Sequence, residues 1–296
     1  MSQAEPFIYL NGRIVRRGEA CVSAFDRGLL YGDGIFETMR AYEGVIFRLN
    51  DHLRRLNNSA DELRIPMPIP PDEIANAAQD LVTRNSLQDA YVRITLTRGP
   101  HTGSLVLDTQ QTATLLIDCR PLVPYPAKYY RQGISLALSI CLRERSSSIA
   151  RHKTLSYLEN LIALDDARGL GALDAIILTD DGFVCECATA NIFWVTGGGV
   201  RTPSAKLPLL NGITRRVVLE SCRKLGLAAS ESEFRMEDVR EADEVFVTNS
   251  IMEVMPVADV AMQKIRQCPG PVTERIRQAY ADEVGRSVAE FRTPRA

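Results

Sequence analysis

The segment RHKTLSYLENL, residues 151–161, places Lys153 directly before a run with helical spacing. Lysine is scarce in this chain and occurs only at positions 128, 153, 206, 224 and 264. A partly buried lysine with a lowered pKa can form a Schiff base with an aldehyde, and the helix dipole disfavours a lysine at a helix start. Spacing alone still favours an ordinary surface lysine, so a chemical role for Lys153 is one of two alternatives.

Glu186 lies within an apolar run with the character of a strand, GFVCECATANIFWV. A charge in such a run costs free energy unless it has a partner. One suitable partner is the protonated nitrogen of a pyridine ring, and the other is one of the many arginines of the chain. The residue types alone do not distinguish between a pyridine nitrogen and an arginine as the partner of Glu186.

Two features could bind a phosphate group. NGITRRVVLE puts Gly212, Ile213 and Thr214 at the start of a predicted helix, where backbone N–H groups and the dipole attract anions. Arg55, on another predicted helix, could bind phosphate through its guanidinium fork. Each feature also has an ordinary interpretation, as a threonine N-cap or a solvated arginine. The nucleotide-binding motifs G-x-G-x-x-G and G-x-x-x-x-G-K-[ST] do not occur.

These residues must be positioned by elements that the sequence pattern predicts. Asn11-Gly12 between two apolar runs indicates a β-hairpin, and the three prolines of PLVPYPAKYY indicate an interdomain linker. Helical spacing and terminal signals predict helices from Asp51, from about Pro71 to Arg84, from 155 to 168, from about Thr214 to Leu225 and at the C-terminus. Alternating or apolar runs predict strands at Ile35–Tyr42, Val45–Leu49, AYVRITLTRG, ATLLIDCR, GISLALSIC, DAIILTD, NIFWVTG and EVFVTNS. Because hairpins, helices and strands are mixed, we predict an α+β fold with two domains.

The bulk composition narrows the classes of partner. The 296 residues carry a net charge of −2 with a pI near 6.0, so nothing favours nucleic acid or an anionic membrane as partner. We expect a cytoplasmic protein without a membrane span, because seven scattered cysteines indicate a reducing compartment and no long apolar run is present. Cys185 and Cys187 lack the further ligands of a metal site. His101 and His152 lack the motif of a hydrolytic triad.

Together and in this order, these segments resemble the class IV aminotransferases, which are pyridoxal 5'-phosphate (PLP) enzymes. The similarity runs from YLNGRIV to VMPV and covers nearly the whole chain. It implies fold type IV, with a small N-terminal α/β domain at 1–121, a linker at 122–130 and a larger C-terminal PLP-binding domain at 131–296. It also implies an active site between the domains, and a homodimer in which Tyr31 and residues near 101–107 reach the partner's site.

The resemblance also implies roles for residues that match family motifs. Lys153 would be the catalytic Schiff-base lysine, and Glu186, five residues before Asn191, would hold the pyridine nitrogen. Tyr157 is similar to the tyrosine that hydrogen-bonds the phenolic oxygen, which lies one place further from the lysine in branched-chain enzymes. Arg55 would bind the cofactor phosphate. The other implied cofactor-binding residues belong to the matching motifs: Asn191, Gly212, Ile213, Thr214, Asn249 and Ser250.

Two signals separate the members of this family. ECATANIFW, VTNSIMEVMPV and Thr38 resemble the 4-amino-4-deoxychorismate lyases, which eliminate pyruvate and leave 4-aminobenzoate. Other residues match the substrate pocket of branched-chain aminotransferases: Tyr31, Phe36, Tyr91, Arg93 and the turn that ends at Ile251. We therefore predict a transaminase that moves an amino group from a branched-chain-like amino acid or an amine to a 2-oxo acid, with the lyase as the alternative. TRGPHTGSL lacks the R-x-H pair of D-amino-acid aminotransferases, which disfavours that specificity, while an (R)-amine donor stays open.

Overall fold

A computed structural model describes residues 5–100, 103–107 and 111–293. The chain forms two compact units. The first unit comprises the chain up to Val123, the short segment Lys153–Ser156 and the chain from Val284 onward; the second comprises Pro124–His152 and Tyr157–Glu283. This division differs from the contiguous ranges expected from the sequence. The segment around Lys153 belongs to the first unit because its backbone hydrogen-bonds to a strand of that unit.

The first unit contains an antiparallel sheet whose strand order is β2-β1-β6-β5-β3-β4. Its strands are β1 (Phe7–Leu10), β2 (Arg13–Arg16), β3 (Gly34–Tyr42), β4 (Val45–Ile46), β5 (Ala90–Thr97) and β6 (Thr114–Pro121). Its helices are α1 (Arg27–Tyr31), α2 (Leu49–Glu62) and α3 (Pro71–Arg84), with a 3₁₀ turn at Arg17–Glu19. The predicted hairpin is confirmed, since Asn11 and Gly12 have φ of 49° and 86° between β1 and β2.

The core of the first unit lies between one face of the sheet and the helices α2 and α3. Leu53, Leu56 and Ala60 of α2 recur at helical spacing and are buried. Inward residues of β3, including Met39, pack in the same cluster. Full burial of a side chain such as Leu56 contributes about 1.5–3 kcal/mol. Because successive side chains of a strand point to opposite faces, Phe36 and Thr38 lie on the face of β3 that is turned away from this core.

The second unit contains a mixed sheet of order β12-β11-β10-β13-β14-β7-β8-β9, with β15 paired to β14. Neighbouring strands are parallel in the pairs β11–β12, β14–β7 and β7–β8. The strands are β7 (Ile134–Arg143), β8 (Asp174–Thr179), β9 (Val184–Cys187), β10 (Asn191–Thr196), β11 (Gly199–Pro203), β12 (Ala229–Ser232), β13 (Glu244–Asn249), β14 (Glu253–Val260) and β15 (Gln263–Lys264). The helices are α4 (Ala127–Gln132), α5 (Leu158–Gly169), α6 (Ile213–Lys224) and α7 (Met236–Arg240), with a 3₁₀ turn at Ile149–Arg151. The helix α8 (Pro271–Arg292) begins in this unit, and its residues from Val284 onward belong to the first unit. Trp194 and Met255 are fully buried in the main core of this unit.

Three local predictions from the sequence differ from the structure. The strand expected at Val45–Leu49 ends at Ile46, and α2 already begins at Leu49. Part of the expected linker is the helix α4, which begins directly after Pro126, where a proline does no harm to a helix start. The helix expected from 155 begins at Leu158, because residues 153 and 155 use backbone groups to pair with β3.

Candidate active site

Lys153 lies in an extended segment and not at a helix start. Phe36 N donates to Lys153 O at 2.9 Å, and Leu155 N donates to Gly34 O at 2.9 Å. These bonds flank an antiparallel bridge between Ile35 and Thr154. The half-buried Lys153 side chain places Nζ 4.5 Å from the centroid of the Phe36 ring. The lysine is thus held against the start of β3, so the helix dipole does not act on it as the sequence suggested.

Four of the residues assigned to the substrate pocket share one face of the first sheet. Thr38 pairs with Arg93, Phe36 pairs with Thr95, and Tyr91 lies two residues before Arg93 on β5. Paired residues, and residues two apart, point to the same side of an antiparallel sheet. The Arg93 guanidinium carbon lies 3.8 Å from the centroid of Phe36, and Arg93 Nε donates to Thr95 Oγ1 at 3.2 Å. The Phe36 ring therefore contacts the cations of both Arg93 and Lys153.

Tyr31 is the last residue of α1 and is 47% exposed. Asp26 caps this short helix by accepting from Gly28 N, and Gly32 ends it with a φ of 66°. The Arg27 guanidinium lies 5.3 Å from the Tyr31 ring centroid and donates to Ser104 O at 3.2 Å. Arg27 thus ties α1 to the 103–107 segment, while positions 101 and 102 of the loop named from the sequence, including His101, lie outside the described residues.

Arg55 is held by Glu37, and Glu37 is contacted in turn by His52; both are buried residues that the sequence did not single out. Arg55 Nε and Nη2 donate to Glu37 Oε1 and Oε2 at 2.7 and 2.6 Å, and His52 Nδ1 lies 2.6 Å from Glu37 Oε2. Burial on its own raises the pKa of Glu37, but the Arg55 guanidinium and His52 outweigh burial and lower that pKa to about 2. Burial also lowers the pKa of His52, against the opposing effect of Glu37. The sequence signal that could have identified Glu37 is its place on β3, where the alternation of the strand puts a glutamate on the buried face.

Glu186 and Asn191 are adjacent in the second unit. Glu186 is 7% exposed on β9, and its Oε2 accepts from Leu210 N at 3.1 Å and from Asn191 Nδ2 at 3.5 Å. Asn191 Nδ2 also donates to Leu210 O at 2.8 Å. These bonds fix the orientation of the carboxylate. They also tie the strand to the segment that leads into α6.

The start of α6 has the form expected of an anion-binding helix terminus. Gly212 is its N-cap residue, and a Cβ at this position would lie 2.1 Å from Asn191 Oδ1, so a larger residue would require the Asn191 side chain to shift. Gly212 carries no side chain that could cap the helix, and the first N–H groups of a helix have no partner within it. Ile213 and Thr214 are buried in the first turn, where Thr214 is 3% exposed.

Asn249 organises the turn that contains Ser250 and Ile251. Its Oδ1 accepts from Ile251 N at 2.9 Å and from Met252 N at 2.7 Å, and its Nδ2 donates to Thr189 O at 3.1 Å. The N–H of Ile251, in the turn that the resemblance assigns to the substrate pocket, thus has an acceptor within its own turn. Tyr157, the N-cap residue of α5, donates through its hydroxyl to Ala188 O at 3.0 Å. The same short turn of the chain, Ala188–Thr189, therefore receives both Tyr157 and Asn249.

Residues 34–260 match the model of the family described as Amino-transferase class IV. A Methanocaldococcus jannaschii protein, provisionally named a branched-chain-amino-acid aminotransferase, is 36% identical over 278 residues, covering 93% of this chain and 95% of the relative. Aminodeoxychorismate lyase of Bacillus subtilis is 31% identical over 285 residues, covering 96% of each chain. D-alanine aminotransferase of Listeria monocytogenes is 29% identical over 287 residues, covering 96% of this chain and 98% of the relative.

Among solved structures, the T.th. branched-chain amino acid aminotransferase with pyridoxamine 5'-phosphate superposes with a TM-score of 0.90 at 29% identity, covering 97% of each chain. The chain belongs to the class IV aminotransferase family. It has the α+β fold of the fold-type IV enzymes and is a PLP-dependent enzyme of the aminotransferase class. The resemblance inferred from the motifs is confirmed.

The residues present fit PLP in chemical type. In the first unit, Lys153 offers an amine and Arg55 a guanidinium of fixed orientation. In the second unit, Glu186 offers a buried carboxylate, and α6 begins after Gly212 with first-turn N–H groups that no side chain of its N-cap residue binds. An aldehyde, a phosphate and a basic ring nitrogen are the groups that such a set complements. Among the residues that the structure describes, no cluster of three or more His, Cys, Asp or Glu could hold a metal ion.

Proposed function

We propose that this chain transfers the amino group of a branched-chain-like amino acid to a 2-oxo acid. The observation that carries the choice of donor is the Phe36 ring, which contacts both Lys153 Nζ and the Arg93 guanidinium. An aromatic surface suits an aliphatic side chain, and an arginine beside the reacting amine suits a carboxylate. Thr38 and Tyr91 on the same sheet face complete this surface.

We assign cofactor binding to the residues that match the family motifs. When bound, PLP supplies an aldehyde that an amine can attack and a ring that withdraws electrons. Arg55 binds its phosphate, together with the N–H groups of Ile213 and Thr214 at the start of α6 and with Ser250. Glu186 would hold a proton on the ring nitrogen, Asn191 orients Glu186, and Asn249 shapes the turn that carries Ser250. Tyr157 would hydrogen-bond the ring oxygen.

Lys153 is the catalytic residue of this proposal. Its amine would hold the PLP aldehyde in the resting enzyme. Once freed by the substrate amine, Nζ would accept the proton that leaves the substrate Cα and deliver it to the adjacent carbon of the cofactor. The backbone pairing of residues 153 and 155 with β3 keeps the amine beside Phe36. A group held in this way loses little entropy when it reacts.

Pyruvate elimination from aminodeoxychorismate is the alternative function. Thr38 favours it, because the resemblance places a threonine there in the lyases, and a relative named as such a lyase is 31% identical. Both reactions begin with the same binding of a substrate amine. They differ in the bond that breaks afterwards.

A spectrophotometric half-reaction separates these functions. Isoleucine, leucine, D-alanine, (R)-1-phenylethylamine and aminodeoxychorismate are added one at a time, and the visible band of the bound cofactor is followed. We expect isoleucine and leucine to bleach the band and a 2-oxo acid to restore it. Release of pyruvate and 4-aminobenzoate from aminodeoxychorismate without any acceptor, and no response to the aliphatic amino acids, would establish the lyase instead.

We also propose that the protein works as a cytoplasmic homodimer. In the first unit, α1 and the 103–107 segment expose large apolar side chains: Leu29, Leu30, Tyr31, Leu105, Val106 and Leu107. In the second unit, Ile140 is 83% exposed and α5 exposes Leu158, Leu161 and Ile162. Apolar surface of this extent supports association with a second copy. The seven cysteines carry free thiols, which suits a reducing compartment.

Light scattering after size exclusion tests the dimer, and we expect Val106→Asp to weaken it. A wild type that is monomeric and fully active would overturn this assignment. Among the described residues, no helix has the length and apolar character needed to cross a membrane.

A further inference from the structure

We propose that Asp174 is a positioning residue of the cofactor site, acting through Thr189 on the turn that receives Tyr157 and Asn249. The inference rests on the proposed function, because it concerns residues that we assign to the cofactor. Asp174 belongs to none of the motifs that carry the family resemblance. It is the first residue of β8, and the residues that it would position, Tyr157 and Asn249, lie in other parts of the chain.

The Asp174 carboxylate is bonded at both oxygens. Oδ1 accepts from Ala175 N at 2.8 Å, while Oδ2 accepts from Thr189 Oγ1 at 2.6 Å and from Thr189 N at 3.2 Å. The residue is 1% exposed. Hydrogen bonds to a carboxylate are stronger than bonds between neutral groups. Thr189 is therefore held at both its backbone and its hydroxyl.

Thr189 and Ala188 form the turn between β9, which carries Glu186, and β10, which begins at Asn191. Cys187 N closes this turn by donating to Ala190 O at 2.7 Å. Ala188 O accepts from the Tyr157 hydroxyl at 3.0 Å and from Asn160 Nδ2 at 2.7 Å. Thr189 O accepts from Asn249 Nδ2 at 3.1 Å. A shift of this turn would thus move acceptors that orient two of the assigned cofactor residues.

A charge at this position is unfavourable for the fold alone. Burial raises the pKa of Asp174 to about 6, although hydrogen bonds from Thr189 and from backbone N–H groups oppose the rise. A neutral side chain would avoid this desolvation. The carboxylate, however, forms stronger hydrogen bonds to Thr189 than a neutral side chain would. Strong bonds of this kind fix the position of the turn, as a binding site of fixed geometry requires.

The test compares the holoenzyme of the wild type with Asp174→Asn, Thr189→Val and Thr189→Ser. Thr189→Val removes the hydroxyl at nearly constant shape, and Thr189→Ser restores it. We expect Asp174→Asn and Thr189→Val to weaken PLP binding about 10- to 100-fold and to change the visible circular dichroism of the bound cofactor. Thr189→Ser should recover most of both signals. In Asp174→Asn and Thr189→Val, saturating PLP should restore kcat more fully than it restores the visible circular dichroism of the bound cofactor.

Thr83→Val is the matched control, because Thr83 Oγ1 bonds locally on α3, to Gln79 O at 3.1 Å. Thermal unfolding of each variant without cofactor separates a loss of positioning from a loss of stability. If Asp174→Asn fails to fold, the comparison of Thr189→Val with Thr189→Ser still tests whether the bond to Asp174 positions the turn. An active wild type whose variants bind PLP as tightly as it does, with unchanged dichroism, overturns the role of Asp174 alone. A wild type that binds PLP but transfers no amino group overturns the proposed function alone, and one that binds no PLP overturns both.

Discussion

Glu37 grips Arg55 through both carboxylate oxygens, which accept from Nε at 2.7 Å and from Nη2 at 2.6 Å. The two residues come from different elements, β3 and α2, so the pair also joins the strand to the helix. His52 contacts the same carboxylate at 2.6 Å. Fork-to-fork pairing fixes the plane of a guanidinium. A fixed plane presents the remaining N–H groups of Arg55 in one direction.

Glu37→Gln should therefore weaken binding of the cofactor phosphate. A glutamine cannot accept from both guanidinium nitrogens, so Arg55 loses its fixed orientation, and we expect PLP affinity to fall about tenfold. Titration of the apoprotein with PLP measures the loss. Phosphate-free pyridoxal should bind equally to the wild type and the variant, because the phosphate contact alone is changed.

Glu62→Gln makes the same chemical change at an exposed position on α2 and should leave both affinities unchanged. If Glu37→Gln weakens pyridoxal and PLP to the same extent, Glu37 supports the fold and not the phosphate site.

Glu186→Gln should slow the chemical step more than it weakens cofactor binding. The amide keeps the shape and the bond from Leu210 N, but it cannot hold a proton on the ring nitrogen. We expect kcat to fall about 10²- to 10³-fold, with PLP affinity changed only severalfold. Stopped-flow measurement of the half-reaction with leucine gives the rate. Near-normal turnover by this variant would remove Glu186 from the role assigned to it.

Local patterns predicted the elements whose signals lie within one short stretch of chain. The helix α3 runs from Pro71 to Arg84 as expected, because Pro71 at its first position and Asp72 and Glu73 in its first turn are sequence-local signals. The hairpin at Asn11-Gly12 is local in the same sense. Family motifs singled out Glu186 and Asn191, and the structure places the two side chains in contact.

Interactions between distant parts of the chain were not predictable from these patterns. Lys153 was placed at a helix start, but its segment pairs with β3, more than a hundred residues earlier in the chain. Glu37 and Asp174 were missed because a position in a strand indicates burial at most, while their partners, Arg55 and Thr189, lie elsewhere in the chain. Such partners become visible only once strands and helices are packed.

Asp174 should give the protein an unusual dependence of stability on pH. Its folded-state pKa of about 6 lies above its ordinary value of 3.8, so the folded protein holds a proton that the unfolded chain has already released. The stabilising contribution of Asp174 is therefore complete below pH 3.8 and is lost as pH rises through about 6. The full change amounts to about 3 kcal/mol.

Urea unfolding of wild type and Asp174→Asn between pH 4 and 8 measures this change, and the difference between the two free energies of unfolding should shift in favour of the variant as pH rises. Glu37 should act in the opposite sense at lower pH. Its depressed pKa means that its contribution is present above the ordinary value of 4.5 and declines as pH falls toward about 2. A pH-independent difference between wild type and Asp174→Asn would contradict the assignment of the raised pKa to Asp174.

Lys153→Ala should abolish transamination while leaving the fold intact. The side chain contacts Phe36 and contributes little to the buried core, whereas its amine has two roles in the proposed reaction, as nucleophile and as proton carrier. We expect turnover to fall by at least about 10³-fold. Borohydride reduction of the wild-type holoenzyme, followed by peptide mass spectrometry, should find the cofactor on Lys153. Lys264→Ala is the matched control, because the Lys264 side chain is 82% exposed, and it should keep full activity. Cofactor recovered on Lys264 or another lysine, or an active Lys153→Ala variant, would show that the amine of this reaction lies elsewhere.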